Sequence, residues 1–345
     1  MQLLRRRAYA RAGLIGNPSD GYYGKTISLS VRDYWAEVIL YEWDDLEIVL
    51  SDEDRSRFRS IQDLSRDVTL HGYYGGVRLI KATIKKFFEY CERRGQPLHE
   101  RNFSIRYSSN IPRQVGLAGS SAIIVATLRC LMDFYQVGID QRVQPSLALS
   151  VEAEELGIGA GLQDRVIQVY EGLVAMDFAK DRMQQIDGFA CGQYVRLDPQ
   201  KLPPIYLAFR SDLSEPTEVF HNNLRSRYDD GDAEVRNAMQ RFAGFVDEAQ
   251  AALDAGDAVS LAASIDANFD QRQSICRLHP GHVEMIEAAR RAGASAKFAG
   301  SGGAIVGTFQ DRAMFERIRS NLEEINCRVF TPCITNQWNY PDWLG

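Results

Sequence analysis

Apolar and polar positions alternate most regularly near the start of the chain. Thr26–Val31 (TISLSV) and Trp35–Tyr41 (WAEVILY) follow the two-residue period of half-buried strands. The small-and-apolar run Ala8–Ile15 precedes them and ends in Gly16-Asn17-Pro18-Ser19-Asp20-Gly21, a dense turn signal. Residues 8–50 are therefore expected to be β-rich. The charged stretch 51–70 reads as a surface loop or short helix, and Gly72-Tyr73-Tyr74-Gly75-Gly76 as a glycine-aromatic turn. The period then lengthens. Leu79, Ile80, Ile84, Phe87, Phe88 and Cys91 recur near helical spacing within Val77–Arg94. Phe103–Tyr107 is a short strand, and Ala122–Tyr135 is apolar almost all round, which predicts a buried helix. Leu147–Gly157 (LALSVEAEELG) reads as a carboxylate-rich helix, with Glu152 and Glu155 near one face, and GLVAMDF as a strand. Leu202-Pro203-Pro204 marks a boundary before a short buried strand, Ile205–Phe209. Ala233–Leu253, Ala258–Asp270 and Val283–Ala292 are amphipathic helices, and Cys327–Cys333 closes the pattern as a strand.

A chain of 345 residues suits two domains, and 45% hydrophobic with 25% charged residues is ordinary for a globular protein. A net charge of −6 argues against a general nucleic-acid or membrane-surface binder. No apolar run approaches a spanning helix, and MQLLRRRAYARAG lacks the apolar core of a secretory signal. The six cysteines are scattered without a C-x-x-C pair, and no H-E-x-x-H pattern occurs. Reduced thiols in a cytoplasmic protein are expected.

The candidate chemistry lies in the glycine-rich turns. In IPRQVGLAGSSA, Pro112, Gly116 and Gly119 make a donor-rich turn, and Ser120-Ser121 offer N-cap hydroxyls to the buried helix. Backbone N–H groups and the helix dipole suit a triphosphate there. The plainer alternative is a tight turn before a core helix. Gly157-x-Gly159-Ala160-Gly161-Leu162-Gln163-Asp164 is a second such loop. A carboxylate from the preceding helix suits Mg²⁺, and Asp164 can orient or deprotonate an attacking hydroxyl. Gly300-Ser301-Gly302-Gly303 favours a backbone passing close to a ligand or to the first glycine loop. Arg11, Asn17, Ser19, Asp20 and Lys25 bring polar heads to one rim, where a hydrated hairpin turn is the alternative. Two look-alikes fail. Gly24-Lys25-Thr26 has Ser19 where a P-loop needs its first glycine and precedes a strand. The G-x-G-x-G of 157–161 follows a helix, unlike a dinucleotide fingerprint.

Three of these stretches resemble, in order, the motifs of the GHMP kinases. Arg11–Asp20 (RAGLIGNPSD) is similar to R-x-N-L-I-G-E-H-x-D of galactokinases, with Asn17-Pro18 in place of Glu-His. Pro112–Ala122 resembles P-x-x-x-G-L-G-S-S-A, with Ala118-Gly119 replacing the third glycine and first serine. Glu152 and Asp164 stand twelve residues apart, as in A-E-x-x-x-x-G-x-P-C-G-x-M-D. The stretch 293–307 is similar to G-A-x-G-A-K-x-[TS]-G-A-G-G-G-G. The resemblance implies an α+β, two-domain GHMP kinase fold. Residues 1–198 would form the half like domain 2 of ribosomal protein S5, and 199–345 a ferredoxin-like α/β half. It implies ATP bound by Pro112, Gly116, Leu117, Ala118, Gly119, Ser120 and Ser121, and Mg²⁺ on Ser120 and Glu152. Ser121 is the alternative serine and Glu155 the alternative carboxylate. It implies Asp164 and Arg11 as the catalytic pair, and Asp20, Gly300, Ser301 and Gly302 at the acceptor. GLIGNPSDGYYGKTIS, GYYGGVRL, GLQDRV and SAKFAGSGGA are similar to the plant-type glucuronokinases within that family. A sugar acid as acceptor calls for a cation, for which Lys25, Arg113 and Arg165 are candidates. Other sugars or uronic acids, or a silent binding protein of this fold, are the alternatives. The expected partners are ATP and a small sugar acid, without nucleic acid or membrane, in a monomer or small homo-oligomer.

Overall fold

The structure is a computed structural model and describes residues 3–49, 75–210 and 224–335. The charged stretch 51–70, the Gly72–Tyr74 part of the aromatic turn and the tail after residue 335 lie outside it.

Two long antiparallel strands, β1 (Leu3–Ile15) and β2 (Lys25–Trp43), form the spine, joined through a 3-10 turn at Ser19–Tyr22. The two strands expected at 26–31 and 35–41 are one. The interruption is an irregularity in which Arg32, Asp33 and Tyr34 loop out, because Tyr9 pairs with Trp35 while Ala10 pairs with Val31. Side chains hold that irregularity in place. Arg32 stacks 3.9 Å over Tyr9 and bonds Glu171, while Tyr34 packs edge-on against Phe209 and Phe330.

β1 takes one edge of β2. The other edge is shared by β4 (Asn102–Ser109) and β5 (Leu173–Asp177), flanked by β3 (Glu47–Ile48) and β8 (Gln193–Leu197). β6 (Gln184–Ile186) and β7 (Phe189–Cys191) form a small separate hairpin. Helix α1 (Gly76–Arg93) buries Leu79, Ile80, Phe87 and Cys91 and leaves Phe88 exposed. Helix α2 (Gly119–Tyr135) lies against β1, β2 and α1 and buries apolar residues on nearly every side, as its composition demands.

The carboxylate-rich segment departs from expectation. Its helix, α3 (Val143–Ser150), starts earlier and passes into a π turn at Val151–Glu155. That turn sends its glutamates apart. Glu154 and Glu155 reach Lys86 and Lys85 on α1 at 2.8 and 2.7 Å, whereas Glu152 points inward. Helix α4 (Gln163–Tyr170) follows the glycine loop.

A second antiparallel sheet has the order β10 (Lys297–Phe298), β11 (Ala304–Thr308), β9 (Ile205–Phe209), β12 (Arg328–Phe330). Its core is shared with α7 (Pro280–Arg291) and α8 (Arg312–Glu323) through Tyr206, Met285, Ile286, Ile305, Ile318 and Leu322. Helices α5 (Ala233–Ala255) and α6 (Ala258–Ile275) make a tight hairpin. Gly256 ends α5 in the left-handed region at φ 68°, and the Asp257 carboxylate caps α6. Phe242, Phe245 and Val246 of α5 join the main core. Among the described residues, no helix is long and apolar enough to cross a membrane.

Candidate active site

Arg11 lies midway along β1 and is almost fully buried. Its guanidinium grips Asp164 with two parallel bonds, Nε to Oδ1 at 2.6 Å and Nη2 to Oδ2 at 2.9 Å. Nη1 donates to the Gly116 carbonyl at 2.5 Å and the Ala299 carbonyl at 3.2 Å. One side chain thus ties β1 to the first glycine loop, to α4 and to the third glycine stretch. Asp164 sits in the first turn of α4, where the helix dipole favours a carboxylate.

The first glycine loop turns on Gly116 (φ 74°) and Ala118 (φ 63°, ψ 49°) and then enters α2. The N-cap is Ala118, not a serine, and no side chain caps the helix. Its carbonyl accepts from Gln168 Nε2 at 2.8 Å and Ser121 Oγ at 3.3 Å. Ser121 is buried by that arrangement, while Ser120 and Gly119 are half-buried and Leu117 is buried. Pro112 is half-buried and Arg113 exposed on the approach to the loop.

The third glycine stretch packs against this loop. A Cβ on Gly116 would lie 2.7 Å from the Gly302 carbonyl, one on Gly300 would collide with the Gly116 carbonyl, and one on Gly303 would lie 2.9 Å from Val115 Cα. Glycine at these positions allows two backbones to touch. Arg272 of α6 holds the stretch from behind, donating to the Gly300 and Ser301 carbonyls at 2.7 Å each. Burial lowers its pKa to about 10.

The other side of this centre is built on the 3-10 turn. Asp20 leans towards the second loop and accepts from the Gln163 backbone N–H at 3.3 Å. Gly161 admits it, since a Cβ there would run into Asp20 Oδ2. Burial, then the charge of Asp164, raise the Asp20 carboxyl to about 6. Glu152 and Arg165 form a deeply buried pair in which Glu152 Oε2 accepts from both Nε, at 2.8 Å, and Nη2. Arg165 Nη1 also donates to the Gly161 carbonyl and stands 3.7 Å from Asp164. Burial works against the Arg165 charge, but Glu152, Asp164 and Asp20 outweigh it and raise its pKa. Lys25 turns away to Asp247 on α5, at 2.8 Å.

The sequence thus assembles Arg11, Asp20, Asp164, Glu152, Arg165 and the two glycine loops around one centre and leaves Lys25 at its margin. It gave no role to four supports. Lys297 is wholly buried and donates to the Gly13 and Phe298 carbonyls at 2.7 Å and to Asn17 Oδ1 at 2.5 Å. Burial pushes its pKa well down. Asn268 holds the Gly16 N–H at 2.7 Å, and Gln163 and Arg272 complete the set. The signals for Lys297 were a lone lysine in a run of small residues and the lysine of the motif that this stretch resembles.

Residues 78–172 match the family model described as GHMP kinases N terminal domain. Glucuronokinase 1 of Arabidopsis thaliana is 44% identical over 310 residues, which is 88% of this chain and 84% of the relative. Among solved structures, the galactokinase of Lactococcus lactis complexed with galactose superposes with a TM-score of 0.74 at 14% identity, covering 96% of this chain and 94% of that one. The phosphomevalonate kinase of Streptococcus pneumoniae, in complex with phosphomevalonate and AMPPNP, gives 0.72 at 16%, covering 96% and 100%. The likenesses to solved structures establish the two-sheet GHMP kinase fold, and the Arabidopsis relative establishes the closer kinship: the chain belongs to the glucuronokinase family of GHMP kinases, phosphotransferases with an alcohol group as acceptor.

Proposed function

We propose that the protein phosphorylates the anomeric hydroxyl of D-glucuronate with ATP, giving D-glucuronate 1-phosphate. The observation that carries this reading is the Arg11–Asp164 pair held against the phosphate-loop carbonyl, in a chain 44% identical to a glucuronokinase. The N–H groups of the Gly116–Ser121 loop and the α2 dipole receive the ATP phosphates. Asp164 orients the sugar hydroxyl and takes its proton, and Arg11 keeps that carboxylate in place while facing the charge that moves. Asp20 accepts a hydrogen bond from a second sugar hydroxyl. Most of the rate then comes from positioning and electrostatics, as expected of phosphoryl transfer.

Mg²⁺ takes oxygen ligands, keeps several waters and binds largely through substrate phosphates, where it neutralises charge. The residues fit an ion that arrives with the nucleotide. Among the described residues, no three His, Cys, Asp or Glu side chains cluster as a metal cage. The Ser120 hydroxyl is half-buried at the loop, and Glu152 gives only Oε2 to Arg165. We assign the ion to Ser120 Oγ and Glu152 Oε1. We also place the division between halves at residues 198/199, between β8 and β9, and the reaction in the cytoplasm. The described cysteines form no disulfide with one another, which supports that location.

The test is coupled ADP release with Mg-ATP on D-glucuronate, D-galacturonate, D-galactose, L-arabinose and mevalonate. Turnover confined to glucuronate is expected. Turnover on a neutral sugar instead overturns the acceptor, and absence of turnover on all five overturns the reading.

A further inference from the structure

A sugar acid carries a carboxylate that the phosphoryl-transfer centre does not use, and a site selective for it needs a cation beside the acceptor turn. Most cations around the centre are committed. Arg11 holds Asp164, Arg165 holds Glu152, and Lys25 holds Asp247. Lys297 and Arg272 are buried on backbone carbonyls. Arg113 is exposed beside the loop that receives the phosphates.

Arg225 is different. Residues 224–229 are helical, and Arg225 and Tyr228, three apart, share the helix face turned to Ser19–Tyr22. Tyr228 packs on the Tyr22 ring at 4.8 Å between centroids. The Arg225 guanidinium lies over the same Tyr22 ring at 4.7 Å, and Nη2 donates to the Gly21 carbonyl at 2.8 Å. Among the described residues no carboxylate pairs with it, so Nε and Nη1 keep their donors. Cation–π contact and one backbone bond fix the plane of the fork without neutralising it. Tyr22 adds a second donor. The residue is buried, yet its hydroxyl makes no hydrogen bond among the described residues, and Asp20 and Arg225 both act on it electrostatically.

We propose that Arg225, seated on Tyr22 and Gly21 one residue from Asp20, is the cation that meets the carboxylate of the sugar acid, with the Tyr22 hydroxyl beside it. The assignment rests on the acceptor proposed above and makes Arg225 the residue that separates a uronate from its neutral hexose. Lys180, 4.4 Å over the neighbouring Tyr23 ring, is the internal control, because it adds charge to the same turn without a directed hydrogen bond.

The experiment compares D-glucuronate with D-glucose, and D-galacturonate with D-galactose, in the intact protein and in Arg225→Gln, Arg225→Lys and Lys180→Gln. Arg225→Gln is expected to raise KM for the acid by about 10–100-fold, the loss of a charge-assisted pair, with KM for ATP and kcat within about twofold. Arg225→Lys recovers part of the loss, and Lys180→Gln is silent. Melting temperatures equal to the parent's exclude a folding defect, since Arg225 is exposed. An unchanged preference for acid over neutral sugar in Arg225→Gln overturns the assignment and leaves the proposed function standing. Loss of galacturonate turnover in that variant, where the parent uses galacturonate and not glucuronate, supports Arg225 and overturns glucuronate. Turnover of neutral sugars alone by the parent overturns both. If the parent turns over none of the four, the glucuronate-induced shift in melting temperature decides. A shift lost in Arg225→Gln supports the assignment, and its absence in the parent, or its persistence in the variant, overturns it.

Discussion

Asp20 is held where its charge is unwelcome, and Asp20→Asn measures by how much. The carboxyl is half-buried under Gly161, beside Asp164, and takes one N–H, from Gln163. Burial and the neighbouring charge raise it from 3.8 to about 6. At about 1.36 kcal/mol per factor of ten in proton affinity, the ionised form costs the fold at most about 3 kcal/mol at neutral pH. Solvent at the rim brings the expected difference to about 1–2 kcal/mol. The sign follows from proton counting. Between pH 3.8 and about 6 the native state binds more protons than the unfolded chain, so stability falls as pH rises through that window and stays low above it. Asp20→Asn removes the penalty. It should therefore be more stable than the parent at pH 7.5, by about 1.5–3 °C in melting temperature. The advantage should shrink to about a third at pH 4.5, where the native carboxyl is already protonated. Scanning fluorimetry in matched buffers at the two pH values reads both. The same variant should raise KM for the acceptor sugar, trading affinity for stability. A variant less stable at pH 7.5, or one whose advantage is equal at both pH values, refutes the reasoning.

Other substitutions probe the neighbouring parts. Asp164→Asn keeps the shape of the Arg11 contact and removes its charge, and should lower kcat by roughly 10²–10⁴ with little change in KM for ATP; near-normal turnover would remove Asp164 from the chemistry. Glu152→Gln leaves the Arg165 guanidinium buried without its partner and should cost about 3 kcal/mol in urea unfolding, and a neutral result would mean that the pair is not formed. Ala118→Gly relieves a left-handed backbone at a residue with a Cβ and should raise stability by about 1 kcal/mol, whereas a loss would show that the methyl group packs more than it strains.

Much of the architecture was legible because it follows periodicity. The strand at 205–209 and the helices beginning at Ala233 and Ala258 fall where the pattern put them, and Asp232, Gly256 and Asp257 mark helix ends by familiar capping chemistry. Errors came where tertiary contacts override a local rule. The polar triplet Arg32-Asp33-Tyr34 reads as a break between strands, yet partners from elsewhere, Tyr9, Phe209 and Phe330, hold it as an irregularity inside one. Ser120-Ser121 reads as an N-cap, but the helix already begins at Gly119, with Ala118 in the left-handed region as its N-cap and no side chain capping it. In the site, the loops were visible because glycine is rare in helices and strands. The supports were not. Lys297 reaches back to the Gly13 carbonyl and Arg272 forward to those of Gly300 and Ser301, and nothing in their own neighbourhood says so. Glu152 and Arg165 were both singled out as ligand-binding groups, and only folding reveals that they bind each other.

The grip of Arg11 limits what can stand in its place. A guanidinium has five N–H donors in one rigid plane, and four are engaged here: two by Asp164, one by Gly116 and one by Ala299. Among the described residues the fifth, on Nη2, has no partner, and in the function proposed above it is the donor that would face a migrating phosphoryl group. A lysine brings the same charge with three donors that cannot lie in one plane. It could satisfy the carboxylate or the two carbonyls, but not both with anything to spare. At this position charge is therefore the smaller part of the requirement. The larger part is valence, the number of neighbours one side chain can serve at once, and arginine alone among the cationic residues has enough.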